Sequence, residues 1–241
     1  MTDFPRYAIY FAAGADSALS RFGAELLGYD AYTGDELPFP QDALRVAPDW
    51  RDITADPRKY GFHGTLKAPM ALAPDKTETE LTTACAAFAG KARPIPTIRP
   101  AVDAISGFIA VIPAEPVDAL RELAADCVRE FDAFRKELTA EDRARRKPEK
   151  LSERQRDYLD RWGYPYVMEE FRFHMTLTGR LDAERREPTL EMLRARFAEL
   201  KLETLAIDRI TLFKQDDAKA RFRIIGEWAL ARMDLSASSQ D

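Results

Sequence analysis

The sequence predicts an α+β fold of two pseudo-twofold-related lobes. Each lobe carries an antiparallel sheet with helices, and a His-x-Thr strand from each faces a central cleft. Three observations predict it. Along the 241 residues, short strand-like runs alternate with segments of helical periodicity. The only two histidines share one frame, Phe62-His63-Gly64-Thr65-Leu66 and Phe173-His174-Met175-Thr176-Leu177. Each frame is followed 14 residues after its histidine by a helix-start signal, Thr77 and Pro188, and then by a pair of strands. The expected organisation is an N-terminal lobe over 1–112 and a C-terminal lobe over 113–232, integrated as one domain, with a disordered tail over 233–241.

The elements follow in order. Arg6 to Ala12 reads as a strand. Asp16 or Ser17 caps a helix with Leu19, Phe22, Leu26 and Leu27 on one face, stopped by Gly28. Tyr29 to Lys59, rich in Pro, Asp and Gly, reads as a long loop with at most short helical turns. The first histidine frame begins a strand over 60–72, and Thr77 with Glu80 forms a capping box for a helix reaching Ala89. Strands near 95–104 and 107–112 are joined by the turn Ser106-Gly107. A helix starting near Pro116 carries Leu120, Leu123, Ala124, Cys127, Val128, Phe131 and Phe134 at helical spacing. The charged stretch from Thr139 to Trp162, broken by Pro148, reads as a helix end, a loop and a second short helix. The second frame opens a strand over 171–181, Pro188 starts a helix through Leu200, and strands near 205–213 and 221–230 form a closing hairpin.

Composition narrows the function classes. With 46% hydrophobic and 32% charged residues the chain can bury a sizeable core. A net charge of −5, from 36 basic and 41 acidic residues, argues against duplex DNA as a partner. The N-terminus lacks a signal-peptide pattern and no apolar run approaches membrane-spanning length, so a cytoplasmic location without a membrane partner is expected. Cys85 and Cys127 are then expected as reduced, buried thiols.

Strand alternation turns the repeated frame into chemistry. His63, Thr65 and Lys67 share one face, and Arg172, His174, Thr176, Thr178 and Arg180 share the other motif's polar face. Two converging imidazoles supply a proton acceptor and a proton donor near neutral pH. Thr65 and Thr176 can donate to the non-bridging oxygens of a phosphate diester as charge builds there. His63, Thr65, His174 and Thr176 are therefore the candidate catalytic residues. Lys67 and Arg180, then Thr178 and Arg172, are the candidate substrate-binding residues. No second ligand stands at metal-site spacing from either histidine. Gly-x-Ser-x-Gly, Gly-x-x-x-x-Gly-Lys and Gly-x-Gly-x-x-Gly are all absent, so no metal and no cofactor is expected. The basic cluster Arg143, Arg145, Arg146, Lys147 and Lys150, interleaved with Glu141, Asp142 and Glu149, reads as a solvated surface, with a lid or an anionic-substrate rim as the alternative.

Paired His-x-Thr motifs on repeated lobes resemble the two-histidine phosphoesterase superfamily, which includes 2′,3′-cyclic phosphodiesterases of RNA processing. The strings Tyr60-Gly-Phe-His-Gly-Thr-Leu-Lys-Ala-Pro69, Trp162-Gly-Tyr-Pro-Tyr166 and Phe171-Arg-Phe-His-Met-Thr-Leu-Thr-Gly-Arg180 look like a bacterial branch associated with phosphonate-utilisation operons. The resemblance runs from about Arg6 to Leu230. It implies a bilobal α+β fold, metal-independent phosphoester chemistry and catalytic roles for His63, Thr65, His174 and Thr176. The segment from Ala140 to Val167 and the loop from Tyr29 to Lys59 depart from the RNA-processing members and favour a smaller substrate. The expected activity is hydrolysis of a small cyclic phosphate ester of the ribose cyclic phosphate or 2′,3′-cyclic nucleotide type. The alternatives are a non-catalytic module binding a phosphorylated metabolite or RNA end, and an RNA-directed phosphodiesterase or ligase.

Overall fold

In the computed structural model, residues 3–233 are described. The tail expected over 233–241 lies, Met233 apart, outside the described residues. The first strand, β1 (Arg6–Phe11), is buried on both faces, and its alternation sorts it between two layers. Tyr7, Ile9 and Phe11 face the main core, whereas Ala8, Tyr10 and Ala12 join a smaller cluster with Tyr29, Ala31, Phe213 and Phe222. Helix α1 (Ala18–Leu27) is capped by the Ser17 side chain and ends on Gly28 in the left-handed region, as the sequence requires. The 29–59 segment holds three short helices, α2 (Gln41–Val46), α3 (Trp50–Ile53) and α4 (Ala55–Arg58).

Strand β2 (Gly64–Ala71) follows the first histidine, and α5 (Glu78–Ala89) has both halves of the Thr77/Glu80 capping box. Next come β3 (Thr97–Ile98), β4 (Pro100–Ile105) and β5 (Phe108–Pro113), with Ser106 and Gly107 both at positive φ in the β4–β5 turn. Helix α6 (Asp118–Glu130) buries Leu120, Leu123, Ala124, Cys127 and Val128 of the expected stripe, whereas Phe131 is its C-terminal cap and the half-buried Phe134 lies in a separate turn beyond it. In the charged stretch lie α7 (Ala140–Arg145) and α8 (Glu153–Trp162). Last come β6 (Met175–Thr176), α9 (Ala183–Ala198), β7 (Leu205–Ala206), β8 (Arg209–Gln215) and β9 (Arg223–Ala229). Cys85 and Cys127 are buried, unbridged thiols; removal from water pushes the Cys85 thiol up to about 12.

The sheet is an antiparallel array of seven strands in the order β4-β5-β6-β2-β1-β8-β9, beside a two-stranded pair of β3 and β7. The two histidine motifs therefore do not stand on separate sheets across a cleft. They are neighbours in one sheet, joined where Gly64 pairs with Met175. Strands from the two sequence halves also interleave. The β4–β5 hairpin of the first half flanks the His174 motif, and the β8–β9 hairpin of the second half flanks β1, which separates it from the His63 motif.

Two expectations about the second motif fail. The helix after it starts at Ala183, capped by Asp182, and Pro188 lies inside it, so the matched 14-residue spacing is not a matched architecture. The Asp182 carboxylate accepts from the Arg185 N–H, and that cap outranks the proline as a start signal. The strand expected over 171–181 shrinks to Met175–Thr176. Consecutive amides of Leu177 and Thr178 both donate to the Ile109 carbonyl, at 2.9 and 3.2 Å, which is a bulge that ends regular pairing.

Candidate functional site

The Gly64–Met175 pair fixes the geometry. In an antiparallel ladder, continuing this register by one residue each way brings His63 opposite Thr176 and Thr65 opposite His174. All four side chains then share the face that carries Tyr10, whose partner on β2 is Thr65. Gly64 has no side chain to clash: a Cβ there would overlap the Phe173 ring, which packs across from the other motif. The two imidazoles are close enough for the charge of His174 to depress protonation of His63.

Both rings are held the same way. His63 Nδ1 lies 2.9 Å from the Gly61 carbonyl and His174 Nδ1 lies 2.7 Å from the Arg172 carbonyl, two residues upstream in each case. A carbonyl only accepts, so each Nδ1 carries the proton and each Nε2 presents a lone pair. Thr65 Oγ1 sits 3.3 Å from His63 Nε2. Gly61 supplies its carbonyl from a left-handed conformation, φ 74°, where a Cβ would come within 2.7 Å of Ala31 Cβ. Tyr10, 1% exposed, stacks on the His63 ring with centroids 3.8 Å apart, and Phe108 lies 5.5 Å from His174. Burial against these rings lowers the His63 pKa to about 4 and lowers that of His174. Both imidazoles are thus neutral near pH 7 in the unliganded protein.

A cleft of about 410 Å³ opens on this face, lined by Thr65, His174, Phe108, Tyr164, Tyr166 and Arg180, among others. Arg172 and Arg180, both exposed, stand at its edge. The other two proposed substrate contacts lie elsewhere. Lys67 is 3% exposed and donates to the Val128 carbonyl at 3.1 Å and to Asp132 at 2.7 Å. Burial lowers its pKa and the Asp132 carboxylate opposes that. Thr178 is fully buried and its hydroxyl accepts from the Ile109 N–H at 3.1 Å. One cause explains both. Along β2, Tyr10 pairs with Thr65 but Ile9 pairs with Lys67, so one extra residue bulges between them and Lys67 turns to the helix side. The bulge at Leu177–Thr178 falls at the same place in the second motif. Alternation holds through His-x-Thr and breaks at the next position in both.

Sequence reasoning missed Tyr10, Phe108 and the Gly61 and Arg172 carbonyls, since neither ring stacking nor a backbone acceptor leaves a local pattern. It also left Tyr164 and Tyr166 without a role. Both lie in the 140–167 segment, which therefore forms a wall of the cleft. Among the described residues no three His, Cys, Asp or Glu side chains converge as metal ligands, and no helix is long and apolar enough to cross a membrane.

The chain is 35% identical over 223 residues to the "Ribose 1,5-bisphosphate phosphokinase PhnN" of Janthinobacterium sp. (strain Marseille), covering 90% of this chain and 49% of the relative. It is 32% identical to the protein of the same name from Laribacter hongkongensis (strain HLHK9), covering 91% of this chain and 50% of the relative. The chain thus spans about half the length of the curated relatives it matches. Among solved structures it is similar to E. coli LigT complexed with NADP+, at 17% identity and a TM-score of 0.41 over 96% of this chain and 100% of that one. A structure described as a phosphoesterase is similar at 17% identity and a TM-score of 0.43, over 95% of this chain and 100% of that one. Residues 65–223 match a family described as "Protein of unknown function (DUF1045)". That span takes in the Thr65 end of the first motif, the whole of the second and the segment between them, and the chain belongs to this family.

Proposed function

We propose that this chain is a metal-independent phosphodiesterase that opens a small cyclic phosphate ester. The observation that carries the reading is the matched pair of imidazoles. Each is fixed by the carbonyl two residues upstream, each offers Nε2, and the two lie on one face of adjoining strands beside two threonine hydroxyls. In the proposed step one neutral imidazole takes a proton from water, the water oxygen bonds to phosphorus, and the ring P–O bond breaks. The second imidazole, protonated, gives its proton to the departing sugar oxygen. The negative charge of the bound diester is what restores a proton to a site whose burial otherwise keeps both rings neutral. Thr65 and Thr176 donate to the non-bridging oxygens, and Arg172 and Arg180 add charge-assisted bonds at the edge.

The relatives' names supply a substrate class. They speak of a ribose bisphosphate, which supports a phosphorylated ribose cyclic phosphate and a place in phosphonate metabolism. The kinase activity in those names belongs to proteins about twice as long, and this chain has no Gly-x-x-x-x-Gly-Lys loop to cradle a nucleotide's phosphates. The test is a panel of ribose cyclic phosphates and 2′,3′-cyclic nucleotides followed by phosphorus NMR. His63→Ala and His174→Ala should each lose about 10²–10⁴ in kcat. Near-normal turnover by either folded variant would remove the mechanism, as would abolition by a chelator with rescue by a divalent metal.

A further inference from the structure

In the charged segment between the motifs, one cation lies over an aromatic ring that lines the cleft. Arg143 pairs with Asp160 at 2.6 Å, and Arg145 pairs with Asp142 and Glu141. Arg146, the C-terminal cap of α7, is exposed and has no carboxylate partner among the described residues. Its guanidinium instead lies over the Tyr164 ring, 5.2 Å from the centroid. Tyr164 lines the cleft beside His174 and Thr65 and meets Tyr166 edge-on at 5.6 Å. The charge of Arg146, with that of Arg6, acts on the buried Tyr10 phenol, and the Tyr10 ring is the one stacked on His63.

We propose that Arg146 is a specificity-determining residue, a guanidinium carried on the 140–167 segment and steered by Tyr164 to the cleft, where it binds an anionic oxygen of the substrate. The proposal rests on reading the cleft as a phosphoester site. An arginine suits this position: its planar cation stacks on an aromatic face while its N–H groups remain free to bond a phosphate. Arg172 and Arg180 stand at the His174 edge and Lys67 is committed to Asp132, so Arg146 adds to the positive charge that Arg6 brings to the His63 side. The tyrosine matters equally, because it fixes where an otherwise mobile side chain spends its time.

The experiment compares wild type with Arg146→Met, Arg146→Lys and Tyr164→Ala, using Arg145→Met as the charge-matched control. A 2′,3′-cyclic nucleotide and inorganic phosphate serve as probes. Arg146→Met should raise KM by about tenfold with kcat within twofold, weaken phosphate binding similarly and leave the thermal midpoint unchanged. The lysine variant should recover part of the loss. Tyr164→Ala should reproduce the Arg146→Met defect in KM, and KM should respond less steeply to added salt in both. Arg145→Met should match wild type. An active wild type with Arg146→Met indistinguishable from it, or Arg145→Met equally impaired, overturns the assignment alone. A wild type that neither turns over the nucleotide nor binds phosphate overturns the reading of the cleft and the assignment with it.

Discussion

The Phe173 ring occupies the space that a side chain on Gly64 would need. The residue before one histidine thus packs on the residue after the other, and the close approach lets Gly64 pair with Met175. The motif's least specified position is where the two motifs touch. Gly64→Ala should therefore overpack the junction and destabilise the protein by about 1–3 kcal/mol, with a fall in activity as the imidazoles separate. Urea unfolding beside turnover checks it; an unchanged midpoint would show that the ring has room to move.

The depressed histidines make folding pH-dependent in a defined window. His63 titrates near 4 in the folded chain and near 6.5 when unfolded, so between those values the unfolded state binds the extra proton. The stability from a neutral, stacked His63 is fully present above about pH 6.5 and is lost as pH falls toward 4. His63→Gln should flatten that part of the stability-against-pH curve, as measured by chemical unfolding at several pH values.

The same shifts set an expectation for turnover. A mechanism that needs one neutral and one protonated imidazole has its largest population of the right microstate midway between the two pKa values. Both lie below 6.5 in the free protein, so kcat/KM should peak on the acid side of pH 6.5. A maximum above pH 7 would contradict the half-buried, neutral placement of the rings.

Lys67 separates the readings from sequence and from structure. A substrate contact would show itself in KM. A buried ammonium paired with Asp132 should instead show itself in stability. Lys67→Met should lose about 3 kcal/mol or more, because the Asp132 carboxylate is left with Arg135 alone, while KM of the folded fraction stays near wild type.

Thr178 makes a parallel case. Thr178→Val keeps the shape and removes the acceptor for the buried Ile109 N–H, which should cost about 1–3 kcal/mol. Thermal unfolding of this variant, at constant KM, is the measurement.

The division between sequence and fold follows from range. The sequence by itself determined the features that depend on neighbouring residues: the repeated His-x-Thr frame, the Ser17 and Thr77 caps, the Gly28 stop, the Ser106-Gly107 turn and the apolar stripe of α6. Each is a local propensity or a local hydrogen bond, and nothing distant overrode it. Asp182 is an equally local cap signal, and it outranks Pro188 as the start of α9. What only the tertiary structure decided is the rest of the site. Bulges depend on which strand lies alongside, and they turned Lys67 and Thr178 away from the face that strict alternation assigned them. The pairing of both motifs in one sheet, the Tyr10 ring under His63 and the Tyr164 wall that holds Arg146 all join residues far apart in the chain. Such contacts form only when burial of the whole core sets the register, and no local pattern encodes them.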